Sequence, residues 1–306
     1  MNKYIVGLDG GGTKTAVTVA DLRENILLTF QSGAINPNGE KIENVNRNLA
    51  DIFAKLKEVC GSMDNCAAVC IGSAGISNPT VEQVFVTAAE KAEYRGKLVI
   101  TGDHQTAFYG ALGKPLGAIL IAGTGSICYG KNKFGREHRT GGFGHLIDDE
   151  GSGYAIGRDI LSSVVRAFDG REEKTVLTDM VYHQLHCSNI EQLVGFIYDT
   201  GTNKRDIAAL SPNLTLACAQ KDKAALRIAE KCAEELKNLA VPVVEKLELQ
   251  KESLALSGSI LLKDDTIKNG FINKIKADYP DLTCHMPKHD ASYGAVLIAM
   301  ESLSAE

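Results

Sequence analysis

The sequence predicts an α/β protein in which one structural unit occurs twice. Strand-like apolar runs alternate with segments whose apolar residues recur every three or four positions, the spacing of one helix face. The chain opens with a strand, a glycine turn, a second strand, a polar turn and a third strand, and this order begins again at residues 118–130, AILIAGTGSICYG. The repeated order indicates a duplicated α/β unit with a cleft between the two copies.

The elements of the first copy follow from local patterns. YIVGL precedes the glycine turn at 9–13, AVTVA follows it, and ILLTFQ forms the third strand. Residues 41–60 have the apolar spacing of a helix. A buried strand at 67–76, a helix near 81–93 and a short strand that ends at 101–103 and enters a helix complete this half.

The second copy carries a helical insertion. Residues 154–250 are mostly helical in pattern, and the well-spaced helix at 222–241 is expected to end near Pro242. The remaining elements are predicted as a strand at 253–257, a helix from 263, a strand at 281–285 and a last helix at 290–303.

These patterns predict two domains, because about 100–200 residues is the usual domain size. The first covers residues 1–117 and the second, with the helical insertion, covers 118–289. The last helix, at about 290–306, is expected to pack back on the first domain.

Composition excludes several classes of protein. The chain has 306 residues, of which 44% are hydrophobic and 23% charged, with a net charge of -5. Without a block of Lys or Arg, neither nucleic acid nor an anionic membrane is the expected partner. No signal peptide is evident and no apolar run approaches the ~20 residues of a membrane span, so a cytoplasmic location is expected. The eight scattered cysteines are expected to be reduced, buried thiols.

The segment DGGGTKT (9–15) is a glycine-rich turn between two strands. It lacks the G-x-x-x-x-G-K-[ST] spacing of a P-loop, and a strand rather than a helix follows it, which also excludes the dinucleotide fingerprint. With GTGS (123–126) it forms a pair of loops whose backbone N–H groups could surround phosphate, and SGSI (257–260) is a third glycine turn. Ordinary strand connections are the alternative explanation for each loop.

Carboxylates accompany these loops. Asp9 at a strand end could hold hydrated Mg²⁺, or simply form the turn. Asp103 at a strand-to-helix junction could accept a hydroxyl proton, or serve as a helix N-cap. The segment 141–159 interleaves glycines with Phe143, His145 and three successive acids, which suits contacts to sugar hydroxyls better than a merely solvated loop. His145 itself is expected to be structural.

Seven motifs then run in one order over nearly the whole chain: DGGGTKT (9–15), INPN (35–38), GSAG (72–75), TGDHQTA (101–107), AGTGS (122–126), GGFGHLIDDEGSGY (141–154) and LSGSI (256–260). On these motifs the chain resembles the BadF/BadG/BcrA/BcrD ATPase family, and within it the N-acetylglucosamine kinase branch. The resemblance implies two RNase H-like, actin-like ATPase domains around an ATP cleft, with ATP and Mg²⁺ as cofactors, a small amino sugar as substrate and a homodimer as a common assembly.

The resemblance also implies roles for individual residues. Asp103 is the expected base for the sugar 6-hydroxyl, and Asp9, from its position beside the first glycine turn, is the expected Mg²⁺ ligand. ATP contacts are expected at Gly11, Gly12, Thr13, Lys14, Thr124 and Gly258. Sugar contacts are expected at Asn36, Gly75, Gly125, Ser126, Gly142, Phe143, Gly144 and Asp149. Phe143 stands where the animal enzyme has tryptophan, and no C-x-C-G cluster follows His145, which excludes the zinc-containing bacterial sugar kinases.

Several alternatives remain open at this point. Glucosamine or N-acetylmuramate could replace N-acetylglucosamine; a free amine would favour an acid near C2, and a lactyl ether would need more room and a basic partner. The same family includes ATPases that activate radical dehydratases through an iron–sulfur cluster bridging two subunits. A sugar-sensing module that transfers no phosphate is the non-enzymatic alternative.

Overall fold

The computed structural model describes residues 3–37, 40–76 and 78–304. The chain divides into a first unit, Met1–Pro115 with Pro287–Glu306, and a second unit, Leu116–Met286. Each unit contains one five-stranded mixed sheet, and both sheets have the same topology. The predicted α/β class and the predicted duplication are therefore confirmed.

The sheet of the first unit has the order β3-β2-β1-β4-β5. Its strands are β1 (Tyr4–Gly10), β2 (Lys14–Asp21), β3 (Ile26–Gly33), β4 (Cys66–Ser73) and β5 (Lys97–Thr101). β1, β4 and β5 run parallel, whereas β2 and β3 are antiparallel to their neighbours. The helices between these strands are α1 (Ile42–Cys60), α2 (Pro79–Lys91) and α3 (Asp103–Leu112), with a short 3₁₀ turn at Met63–Asn65.

The second unit repeats this order as β8-β7-β6-β9-β10. Its strands are β6 (Gly117–Ala122), β7 (Ser126–Lys131), β8 (Glu137–Gly141), β9 (Ser253–Ser257) and β10 (Thr283–His285). Between β8 and β9 lie α4 (Gly153–Phe168), α5 (Leu177–Leu185), α6 (Ile190–Tyr198), α7 (Lys204–Ala208), α8 (Pro212–Ala219) and α9 (Lys223–Lys246). Between β9 and β10 lie α10 (Ser259–Lys263) and α11 (Asp265–Asp278).

The last helix, α12 (Ala291–Ser304), belongs to the first unit. Its buried Ala295, Val296 and Ala299 form an apolar cluster with residues of β1, β2 and β4. The helix approaches β1 so closely that a Cβ at Gly7 would lie 2.2 Å from the carbonyl oxygen of Ser292. Glycine at this position therefore makes the helix–sheet contact sterically feasible.

Several predicted element boundaries are wrong. α9 continues through Pro242 to Lys246, because Val243 and Val244 beyond the proline are buried and their packing outweighs the lost helical hydrogen bond. The helix predicted from 263 begins at Asp265 as α11, and a short helix that the sequence does not predict, α10, precedes it at Ser259–Lys263. The strand predicted at 67–76 ends at Ser73.

Asn38, which ends the INPN segment, lies outside the described residues. Among the helices of the described ranges, none combines the length and the apolar character that crossing a membrane requires.

Candidate active site

In the first unit, the predicted site residues follow the carboxyl ends of the parallel strands. Asp9 near the end of β1 lies opposite Gly72 of β4, and Gly72 lies opposite Thr101 of β5. Asp103 follows β5 as the first residue of α3. Ligands of open α/β sheets bind outside this edge, so these carboxylates are positioned for binding or chemistry.

Asp9 lies within strand β1, where the sequence predicted a turn, and the turn itself is Gly11 to Lys14 with a hydrogen bond of 3.1 Å from the Gly11 N–H to the Lys14 carbonyl oxygen. Burial raises the pKa of Asp9 to about 6, with further contributions from the carboxylates of Asp103 and Asp290, while Lys14 acts in the opposite direction. Three acids therefore surround one strand end, and a positive charge bound there would relieve their mutual repulsion.

Asp103 is the first residue of α3, and Gly102 is the N-cap. The proposed alternative that Asp103 is the N-cap is therefore wrong. Its carboxylate is half-exposed and accepts a hydrogen bond of 2.9 Å from the His104 N–H. The first turn of α3 packs tightly on β4, since a Cβ at Gly72 would lie 2.4 Å from Thr106 Cγ2. Gly72 of the GSAG motif thus allows the helix that carries Asp103 to approach the sheet.

Asn36 lies near the same edge, because its neighbour Ile35 packs beside the end of β1. Ile35 is fully buried, and its Cγ1 would lie 2.7 Å from a Cβ built at Gly10. The segment is also held by a hydrogen bond of 2.7 Å from Asn48 Nδ2 to the Ala34 carbonyl oxygen.

Gly75 of the GSAG motif has a φ of 78°, a left-handed conformation that favours glycine.

In the second unit, the equivalent turn is Gly123 to Gly125, between β6 and β7. The Gly123 N–H donates to the Gly125 carbonyl oxygen over 2.9 Å, and the Gly153 N–H donates to the Gly123 carbonyl oxygen over 2.7 Å. The second bond ties the turn to the first residue of α4. Thr124 is thus presented by a turn that is hydrogen-bonded on both sides.

Asp149 is buried and supports this turn. Its Oδ1 accepts a hydrogen bond of 3.1 Å from the Ser126 N–H, and Ser126 Oγ donates to the Glu150 carbonyl oxygen over 2.6 Å. A Cβ at Gly125 would lie 2.7 Å from Asp149 Oδ1. The glycine is required here because the carboxylate occupies the space that a side chain would need.

The loop after β8 presents Phe143. Gly142 and Gly144 on either side have φ values of 77° and 97°, and the Phe143 ring is 62% exposed. Its N–H donates to Asp148 Oδ2 over 2.9 Å, and the Arg139 guanidinium lies 4.7 Å from the ring centroid. The loop therefore offers an aromatic surface that a sugar ring can contact.

A cavity of about 350 Å³ lies beside the Gly123–Gly125 turn in the second unit. This volume is in the range of small-molecule sites. Its lining combines backbone, hydroxyl, charged and apolar groups, among them Gly123, Thr124, Arg205, Ser211, Ser259, Ile260, Lys263, Asp264 and Ile267. Gly258, one residue before Ser259, has a φ of 87°, and a Cβ there would lie 2.3 Å from the Ala122 carbonyl oxygen.

Comparison with known proteins identifies the family. The model of the BadF/BadG/BcrA/BcrD ATPase family matches residues 6–299. The chain belongs to this family. The resemblance predicted from the seven motifs is therefore confirmed, and the family description implies the use of ATP.

Two relatives match this BadF/BadG/BcrA/BcrD family member over almost their whole length. An N-acetylmuramic acid/N-acetylglucosamine kinase of Clostridium acetobutylicum is 35% identical over 97% of this chain and 98% of its own. An N-acetyl-D-glucosamine kinase of Dictyostelium discoideum is 31% identical over 99% of each chain. A solved protein structure from Chromobacterium violaceum covers 97% of this chain with a TM-score of 0.78 at 21% identity, which confirms the fold.

The predicted residues fall into one group in each unit of this family member. The strand-end edge of the first unit gathers Asp9, Gly11, Gly12, Thr13, Lys14, Asn36, Gly75 and Asp103. In the second unit, Thr124, Gly125, Ser126 and Asp149 form one hydrogen-bonded turn, while Gly142–Gly144 follow β8 and Gly258 follows β9. Their roles in binding and catalysis stay predictions.

Sequence reasoning missed other residues of these edges. The carboxylate of Asp290 contributes to the raised pKa of Asp9. Its Oδ1 also accepts a hydrogen bond of 2.9 Å from the Tyr293 N–H at the start of α12. Asp290 opens the helix predicted at 290–303, and an acid at a helix start is a visible N-terminal signal. Arg205 and Lys263 line the cavity in the helical insertion and in α10. No local pattern marks them, because the fold brings them together from distant segments.

The cysteines are free thiols, as expected. Five are buried, and Cys60, Cys187 and Cys284 are partly buried. Burial raises the pKa of Cys70 to about 12.

Proposed function

We propose that this protein is an ATP-dependent amino-sugar kinase that converts N-acetylglucosamine and ATP into the sugar 6-phosphate and ADP. The observation that carries the proposal is the end-to-end similarity, at 35% and 31% identity, to two kinases of N-acetyl amino sugars. The half-exposed carboxylate of Asp103 at a strand-end edge supports it, because phosphoryl transfer to an alcohol needs a positioned base.

In the proposed reaction, the sugar 6-oxygen forms a bond to the γ-phosphorus while the bond from that phosphorus to the β-phosphate oxygen breaks. Asp103 accepts the hydroxyl proton and ADP leaves with the electron pair. The hydrogen bond from the His104 N–H fixes one carboxylate oxygen, which supports an oriented base. The N–H groups of Gly11 and Gly123 already donate within their own turns, so the backbone N–H groups of residues 12–13 and 124–125 would donate to phosphate oxygens.

The cavity of the second unit is the proposed adenosine site. Its volume and its hydroxyl and apolar lining suit a flat ring with a ribose, and Gly258 directly precedes the lining residue Ser259. For Mg²⁺, the raised pKa of Asp9 beside two other acids supports a cation at that carboxylate. Mg²⁺ keeps several waters and takes few protein ligands, so Asp9 would hold it, and the bound ion would neutralise phosphate charge.

N-acetylmuramate is the second candidate acceptor, since the Clostridium relative is named for both sugars. The sugar would contact Phe143 and the glycines on either side of it, with Asn36 as a further hydrogen-bonding partner. The exposed ring of Phe143 supports this assignment, because aromatic faces pack against the apolar face of sugars.

The test is ATP consumption by the purified protein with Mg²⁺, against N-acetylglucosamine, N-acetylmuramate, glucosamine and a blank without sugar. Turnover with an N-acetyl amino sugar and little in the blank is expected. Hydrolysis that is independent of sugar would contradict the proposal and direct the next assay to iron content.

Asp103→Asn is expected to lower kcat by about 10²–10⁴-fold, the usual contribution of a positioned base. Asp51→Asn, on the exposed face of α1, is the matched control and should turn over as the wild type does. Circular dichroism checks that both variants fold. Near-normal turnover by Asp103→Asn would remove this residue from the mechanism.

A further inference from the structure

Arg139 occupies an exposed position on the edge strand β8, two residues before the glycines that precede Phe143. Strand alternation separates it from its neighbour Thr140, whose hydroxyl donates to the Leu239 carbonyl oxygen of α9. The side chain of Arg139 therefore projects from the face of β8 opposite to α9. It lies instead over Phe143, with 4.7 Å between the guanidinium carbon and the ring centroid.

No carboxylate of the described residues lies within 4.0 Å of the Arg139 guanidinium. The acid on the same strand, Glu137, is paired with Lys131 at 3.3 Å. The acids of the following loop are also engaged, since Asp148 accepts from the Phe143 N–H and Asp149 from the Ser126 N–H. The positive charge beside the exposed aromatic ring is therefore available to a ligand.

The same loop leaves room for a substituent. A Cβ at Gly144 would meet no atom within 4 Å, and Leu146 and Ile147 are each 84% exposed. A sugar in contact with Phe143 would bring the groups on its ring within reach of the guanidinium. Arginine binds a carboxylate through two parallel N–H···O bonds, which makes it suited to recognise a sugar acid.

We infer that Arg139 is a specificity-determining residue that binds the carboxylate of an acidic ether on the amino sugar, as in the 3-O-lactyl group of N-acetylmuramic acid. The inference rests on the proposed function, and it adds a residue whose positive charge distinguishes acidic from neutral amino sugars. Arg139 acts in binding this substituent and takes no part in the phosphoryl transfer.

The test compares kcat/KM for N-acetylmuramic acid with kcat/KM for N-acetylglucosamine in the wild type, Arg139→Gln and Arg139→Lys. In Arg139→Gln the ratio of the two values should fall by about 10-fold or more, as expected for loss of a hydrogen bond between charged groups. Arg139→Lys keeps the positive charge but cannot form the two parallel hydrogen bonds of a guanidinium. Its ratio should therefore lie between those of Arg139→Gln and the wild type. Arg136→Gln, an equal charge change in the exposed turn before β8, should leave the ratio unchanged.

Ionic strength supplies a second readout that a merely structural role would not move. Salt screens the interaction between exposed charges. When NaCl is raised from 0.05 to 0.5 M, kcat/KM of the wild type for N-acetylmuramic acid should therefore fall several-fold more than kcat/KM for N-acetylglucosamine. In Arg139→Gln the two values should fall equally. Equal losses with both sugars in Arg139→Gln would overturn the inference and assign Arg139 to the support of Phe143.

The failure of the inference is distinguishable from that of the proposed function. A wild type that phosphorylates N-acetylglucosamine but not N-acetylmuramic acid overturns the inference and leaves the kinase assignment intact. A wild type that phosphorylates neither sugar overturns both.

Discussion

At the scale of single residues, Asp9 is a carboxyl group whose pKa is strongly shifted by its surroundings. Burial and the neighbouring acids raise the pKa of this carboxyl from its ordinary value of 3.8 to about 6. Between these two values the folded protein holds a proton that the unfolded chain releases. The contribution of Asp9 to stability therefore falls as the pH rises from about 4 to about 6, and its charged form opposes folding above that range.

Asp9→Asn removes this charge and is expected to raise the free energy of unfolding by about 1–3 kcal/mol at pH 7.5. The gain should disappear at pH 4, where the native carboxyl is already protonated. Thermal unfolding of the wild type and the variant at pH 4, 5, 6 and 7.5 measures the difference. A variant that is less stable than the wild type at pH 7.5 would show that Asp9 is favourably paired as a carboxylate.

At the scale of elements, the crossing of α12 and α3 depends on glycine. A Cβ at Gly294 would lie 1.9 Å from the Thr106 carbonyl oxygen and 2.4 Å from the Gly110 nitrogen. Gly294→Ala should lower the free energy of unfolding by about 2–3 kcal/mol, because backbone on the facing helix cannot yield as a flexible side chain can. Chemical denaturation measures the effect.

The matched control is Gly195→Ala in helix α6, where an added Cβ meets no atom within 4 Å. This variant should be neutral or more stable by up to about 1 kcal/mol, the difference in helix propensity between the two residues. If Gly294→Ala were as stable as the wild type, the two helices would not cross as closely as described.

The elements themselves could be predicted from the sequence wherever local periodicity decides them. α1 was predicted at 41–60 and is Ile42–Cys60, because its apolar stripe is the face that packs in the core. The end of α9 could not be predicted, since Val243 and Val244 are buried by distant parts of the chain. The contribution of Asp290 to the pKa of Asp9 could not be predicted either, because only the folded sheet brings the last helix beside the first strand.

At the scale of the whole molecule, the first unit needs both ends of the chain. Ile5, Ala68 and Cys70 are buried in one cluster with Ala295 and Val296 of α12. A chain that ends at Met286 should lose hydrogen-exchange protection in β1 and β4, whereas β6 and β9 keep it. A chain that ends at Ser304 is the control, and protected β1 amides in the shorter chain would contradict this account.

The position of α12 also has a consequence for synthesis on the ribosome. The second unit is one continuous segment, Leu116–Met286, whereas the first is completed only by residues from Pro287 onward. Domains usually fold in the order in which they are translated. Here we expect the order to reverse, because the later unit can finish folding while the apolar side of β1 and β4 in the earlier unit stays uncovered until α12 is translated.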